Sequence, residues 1–146
     1  MHLRTTRFGA LSVEPHDLLN FPNGLIGFEE CRQWLLLCDA GNDALGWLQS
    51  VARPETALPI VSPRRFVPDY RFRIYRSALA PLELATMEDA QVLTVVGRHD
   101  GRLTLNLKAP IVINLRARLG RQLVTNDDQP LQHVLSVSPS QLKMTA

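Results

Sequence analysis

Apolar and polar positions alternate along much of the chain. Leu103, Leu105 and Leu107 interleave with Thr104, Asn106 and Lys108, the period-two pattern of a strand with one buried face. The β-branched run Val92-Leu93-Thr94-Val95-Val96 precedes it, and Asp100-Gly101 lies between the two. Asp-Gly tolerates the positive φ of a two-residue turn, so residues 91–108 are predicted to form a β-hairpin. Pro110 interrupts before Ile111 to Leu115 resumes as a strand. Proline cannot donate to a ladder, which places Ala109-Pro110 at a bulge, an edge or a corner. Leu119-Gly120 is expected to turn the chain into a further strand, Gln122 to Thr125. Upstream, Leu45 to Val51, Ala57 to Val61 and Tyr70 to Tyr75 carry strand patterns, with Pro54, Pro63 and Pro68 in the connectors.

Helix signals are scarce. Glu29 to Leu36 has room for one or two turns, its two acids near a helix N-terminus where the dipole favours them. Leu79 to Ala90 begins beside Pro81, and its Leu82-Glu83-Leu84 alternation fits a strand better. Short strands punctuated by ten prolines and eight glycines point to a sandwich or barrel. The expected architecture is all-β: a small, antiparallel, barrel-like single domain over residues 1–136, with at most one or two short helices. Residues 137–146 lack a clear period and are expected to fray.

Composition narrows the class. At 146 residues, with 45% apolar and 21% charged, the chain suits one globular domain able to bury a core. No apolar run approaches the roughly 20 residues of a spanning helix, and no secretory signal is visible, so the expected location is the cytoplasm. Cys31 and Cys38 fit no zinc or redox spacing and are expected to be free, partly buried thiols. The four histidines are scattered, so neither metal nor cofactor is expected. The net charge of +2 hides an uneven distribution: residues 1–50 carry −3 and residues 51–146 carry +5. Fourteen of the sixteen cations are arginine, a bias that suits bidentate pairing with carboxylate or phosphate.

Candidate chemistry is thin. The pairs Glu29-Glu30, Glu88-Asp89 and Asp127-Asp128 are adjacent in sequence, and neighbours on a strand face opposite ways. They do not promise two acids converging on one reacting atom. Ser50, Ser62 and Ser77 lack a nucleophile elbow, and Asn23 to Gly27 lacks the lysine and strand–helix context of a phosphate loop. An enzyme is therefore not expected, nor a small-molecule substrate. Arg64 to Arg76 interleaves arginines with Phe66, Tyr70, Phe72 and Tyr75. It reads either as a strand with Phe72 and Ile74 toward the core and arginines in water, or as a surface for an acidic protein or for RNA. Phe21-Pro22-Asn23-Gly24-Leu25-Ile26-Gly27-Phe28-Glu29 brackets a sharply shaped backbone with two phenylalanines. It either plugs a barrel end or offers anchors to a partner. Asn106 and Asn114 flank Pro110 symmetrically, where an asparagine commonly ties down a turn.

These same stretches carry a family resemblance. Phe21 to Glu29 resembles the N-terminal motif of the bacterial flagellar assembly factor FliW family. Leu48-Gln49-Ser50 matches its next block, and Pro63 with Pro68-Asp69-Tyr70 resembles its central segment. Thr104 to Asn114 resembles its most specific motif, and Gly120-Arg121-Gln122 follows in order. The chain departs from the family in its slight basic charge, in Leu58-Pro59, and in lacking the tyrosine usual near Gln129. The resemblance implies a β-barrel-like protein without a catalytic centre that binds CsrA, a dimeric RNA-binding translational repressor, and also flagellin. It implies allosteric antagonism of CsrA, which relieves repression of flagellin messenger, with flagellin and CsrA exchanging for the factor. Direct nucleic-acid or membrane binding is not implied. The expected partner-binding residues are Phe21, Leu25, Ile26 and Phe28 as apolar anchors, with Asn106, Pro110 and Asn114 shaping the corner that presents them. The rival expectation is an RNA-binding β-barrel using residues 64–76.

Overall fold

A computed structural model of the chain describes residues 1–137. Eleven strands form among them: β1 His2–Thr5, β2 Gly9–Ser12, β3 Leu18–Asn20, β4 Gln33–Cys38, β5 Gly46–Ser50, β6 Ala57–Val61, β7 Ala90–His99, β8 Arg102–Leu105, β9 Ile111–Asn114, β10 Leu119–Gln122 and β11 His133–Val134. A single α-helical turn, α1, spans Arg76–Leu79. Strands β3 to β7 follow one another as antiparallel neighbours, β10 joins β3 to β9, and β9 returns to β7. Seven strands therefore close into a barrel, which removes most of the sheet's exposed edges. The ten-residue β7 is long enough to serve several partners. Its first four residues pair with β9, Thr94 and Val95 with β6, and Val96 to His99 with β8.

Alternation decides what fills the barrel. Leu19, Trp34, Leu48, Ile60, Leu93, Ile111 and Ile113, one or two from each of six strands, meet in one buried cluster. The seventh strand, β10, contributes Gly120 instead, and the ring of Phe21 occupies the space where a Cβ there would sit. The outward faces are covered in turn. The β1–β2 hairpin lays Leu3 and Val13 on Leu35. Residues 66–72 and β8 cover Trp47, Val61 and Val96. Ile74, Leu79 and Leu82 cover Val112 on β9.

The expected hairpin forms, with Asp100 (φ 51°) and Gly101 (φ 74°) at its turn. Ala57–Val61 is a strand with the expected bounds, and β5 and β9 fall within theirs. Four expectations need correction. Residues 29–36 do not form a helix: Gln33–Cys38 is β4, held between β3 and β5, so ladder pairing outweighs the weak local signal. Residues 70–75 pair with no strand, and Asn126 and Gln129 take the carbonyls of Arg73 and Arg71 instead. Residues 79–89 form short helical turns rather than a strand, with Glu83 left-handed (φ 54°). Leu119-Gly120 lies inside β10, and the turn falls at 115–118, where Arg118 takes φ 57°. Strands β1 to β3 and the two-residue β11 are additions. Cys31 is buried, Cys38 is exposed, and both are free. Of the expected tail, residues 138–146 lie outside the described residues.

Candidate partner-binding groove

The loop after β3 is built by a few hydrogen bonds and two glycines. Phe21 N–H bonds to Arg32 C=O at 2.7 Å, and Gly24 N–H to Phe21 C=O at 2.8 Å. Gly24 takes φ 65°, and a Cβ there would run into the Phe28 carbonyl and the Glu29 backbone. Leu25 and Phe28 then exchange backbone bonds at 3.3 and 2.7 Å. This leaves Ile26-Gly27 as a two-residue tip, with Gly27 at φ 89°, the positive value that only glycine adopts without strain. The loop thus splits its apolar side chains. Phe21 and Leu25 are buried, Phe28 is half-buried against Trp34 at an edge-on 6.1 Å, and Ile26 is 56% exposed. Plug and anchor are both realised, by different residues of one loop.

Gln122 on β10 ties this tip to the corner after β8. Its Oε1 accepts the Ile26 N–H at 2.9 Å, and its Nε2 donates to the Ala109 carbonyl at 3.0 Å. Across the corner, Asn106 Oδ1 accepts the Ala109 N–H at 3.0 Å, and the Asn106 N–H donates to the Val95 carbonyl. Pro110 is buried, where its carbonyl accepts the Leu123 N–H at 2.9 Å. The corner is therefore rigid without a strand ladder, which answers why the proline is tolerated.

A shallow groove of about 270 Å³ runs between the two elements, lined among others by Ile26, Phe28, Leu58, Val95, Asn106 and Leu131. Leu131 is 65% exposed. It is set there by the bond from Leu107 N–H to the neighbouring Pro130 carbonyl. Three of the seven expected site residues, Ile26, Phe28 and Asn106, thus line one surface. Phe21, Leu25 and Pro110 support it from within. Asn114 does not reach it: it is buried elsewhere, with Nδ2 donating to the Leu82 and Glu83 carbonyls and Oδ1 accepting the Arg116 and Ala117 N–H groups. Gln122, Leu58, Val95 and Leu131 were not among the expected residues. Gln122 has a sequence signal, its place directly after Gly120-Arg121, whereas nothing local marks Leu131.

The arginine–aromatic segment behaves otherwise. Tyr70 is buried and its hydroxyl donates to the Leu107 carbonyl at 2.6 Å. Burial pushes its phenol well above the usual tyrosine range, and the Asp127 charge adds to the shift. Phe72 lies tilted on Tyr70 at 5.4 Å, while Arg71, Arg73 and Tyr75 face solvent. Among the aromatics of this segment only Tyr75, 70% exposed, is open to stacking. A platform for several bases is not formed.

The described residues thus define a closed β-barrel whose surface groove mixes Ile26, Phe28, Leu58, Val95 and Leu131 with Arg98 and polar side chains. The chain belongs to the FliW family: the FliW protein family profile matches residues 2–135. A flagellar assembly factor FliW of Bdellovibrio bacteriovorus is 35% identical over 130 residues, 88% of this chain and 74% of that protein. One from Magnetococcus marinus is 34% identical across 100% of this chain and 93% of its own length. One from Moorella thermoacetica is 39% identical over 85% of this chain and 80% of its own. The crystal structure of a flagellar assembly factor FliW superposes with a TM-score of 0.84 at 28% identity, covering 92% of this chain and 96% of the other. The family is one of assembly factors rather than enzymes. No helix among the described residues is long and apolar enough to cross a membrane.

Proposed function

We propose that this flagellar assembly factor binds the translational repressor CsrA through the groove between the Ile26 tip and the Asn106 corner. In this reading it antagonises CsrA allosterically and thereby relieves repression of flagellin messenger. Flagellin competes for the factor, so each partner's abundance sets the other's access. The observation that carries the proposal is the double hydrogen bond of Gln122, which clamps the two most distinctive sequence stretches around one groove. Ile26 and Leu131 stand exposed beside it, at 56% and 65%, where solvated apolar side chains are costly unless covered by a partner. Allosteric antagonism requires only that the factor bind the RNA-free form of CsrA more tightly than the RNA-bound form.

The test is co-purification with the cognate CsrA and with flagellin, followed by release of a CsrA-bound messenger in an electrophoretic assay. The wild type should release the RNA, excess flagellin should block release, and Ile26→Asp should bind CsrA at least about tenfold more weakly. Unchanged capture by a folded Ile26→Asp protein would move the contact elsewhere.

A further inference from the structure

A second and larger cleft, about 740 Å³, lies at the other half of β7, walled by Phe72, Ile74, Leu79 and Val92 with the exposed Arg64 and Arg71 beside them. Its origin is a break in the sheet. β6 pairs with β7 through Ile60–Val95 and Val61–Thr94, and the same register would set Pro63 opposite Val92. Proline brings no N–H to a ladder. The Pro63 carbonyl is turned into its own helical turn, accepting the Phe66 and Val67 N–H groups at 3.1 and 2.8 Å. Backbone groups alternate sides along an antiparallel strand. The Val95 carbonyl is taken by Asn106 on the β8 side, so Val92, three residues back, aims its N–H and C=O into the cleft. β9 covers Ala90 to Leu93 only on the far side. Among the described residues no strand pairs with the near side.

The wall opposite this open edge is cationic. Residues 64–76 carry five arginines against Asp69 alone. Arg65 is engaged by Asp43 at 3.2 Å, whereas Arg64 and Arg71 line the cleft, Arg64 with its Nε donating to the Tyr70 carbonyl at 3.1 Å and Arg71 exposed. Glu88 is the acid in the cleft lining. An unpaired strand edge, an apolar floor and an arginine rim call for an extended backbone, apolar on one face and acidic on the other. We infer that this cleft is a second docking site, which takes an extended acidic segment of a partner protein as an added strand beside Val92. The inference does not depend on which partner occupies the Ile26 groove.

The test uses the full chain and a fluorescent, end-capped nonapeptide alternating valine and glutamate, read by anisotropy. Two further copies are N-methylated, one on the valines and one on the glutamates. Only one set of amides faces β7 in an added strand, so one methylated copy should lose at least about tenfold in affinity while the other binds as the parent does. Arg71→Glu should also cost at least about fivefold, whereas Ile26→Asp should leave binding unchanged, which separates this cleft from the groove. Equal binding of both methylated copies, or no saturable binding of the parent, would overturn the proposal. So would a nine-nucleotide oligouridine that binds more tightly and displaces the peptide, which would make the cleft an RNA site.

Discussion

Residues 21–29 and 64–76 look alike in sequence, each mixing aromatics with shaped or charged neighbours, yet the fold treats them differently. The first loop is held at its tip by Gln122, 96 positions from Ile26, and at its base by Phe21 under Gly120. The second segment forms no strand and is pinned by side-chain and loop contacts from Asn126, Gln129 and Tyr70. The difference teaches that presentation comes from anchoring. The loop buries two apolar residues in order to expose one, whereas the segment lays Phe66, Tyr70 and Phe72 over the barrel and leaves Tyr75, Arg71 and Arg73 in water.

The comparison is broken most severely at Phe21. Phe21→Ala should cost about 3–5 kcal/mol, read as a lower urea midpoint, because Gly120 leaves an open space beside the lost ring. The matching change in the other region, Phe72→Ala, should cost about 1–3 kcal/mol, since that ring is half-buried on the outside of the barrel. If the two changes cost the same, the distinction between plug and cover fails.

Tyr70→Phe should cost about 1–3 kcal/mol by leaving the Leu107 carbonyl unpaired, and it adds a pH signature. The folded phenol titrates above its unfolded value, through burial first and the Asp127 charge second. Its contribution is therefore complete below the unfolded value of about 10 and falls away as pH rises toward the folded one. Wild-type stability should drop above about pH 10 more steeply than that of Tyr70→Phe, as measured by urea unfolding across that range. Equal slopes would place Tyr70 in contact with solvent.

The smallest effect on stability should be at Ile26. Ile26→Asp should change unfolding free energy by no more than about 0.5 kcal/mol while weakening CsrA capture. Phe28→Asp should weaken capture too, but with a stability loss, because Phe28 packs on Trp34. A large stability loss at Ile26 would mean that the tip is structural.

Much of the barrel was legible in short-range pattern. The hairpin around Asp100-Gly101 and the strand Ala57–Val61 declare themselves because period-two burial and turn chemistry are local. β4 was not legible, since Glu29-Glu30 resembles a helix start and the ladders that override it lie in β3 and β5. The segment 70–75 shows the converse: its alternation correctly turns Tyr70, Phe72 and Ile74 inward, but no neighbouring strand exists to complete a ladder. At the groove, the distinctive residues were visible while their division of labour was not. Nothing in the spelling of Phe21 to Phe28 says that Ile26, rather than Phe21 or Leu25, stands well out of the core.

The sequence by itself determined the β class, the turns that need glycine or Asp-Gly, and the stretches that set this chain apart, because each depends on neighbours a few residues away. Only the tertiary structure decided which apolar side chains are exposed and which strand edge is left open. Both follow from barrel closure, which brings Gln122 to Ile26 across 96 positions and leaves Val92 without a paired strand on the β6 side, and closure is a property of the whole chain rather than of any segment.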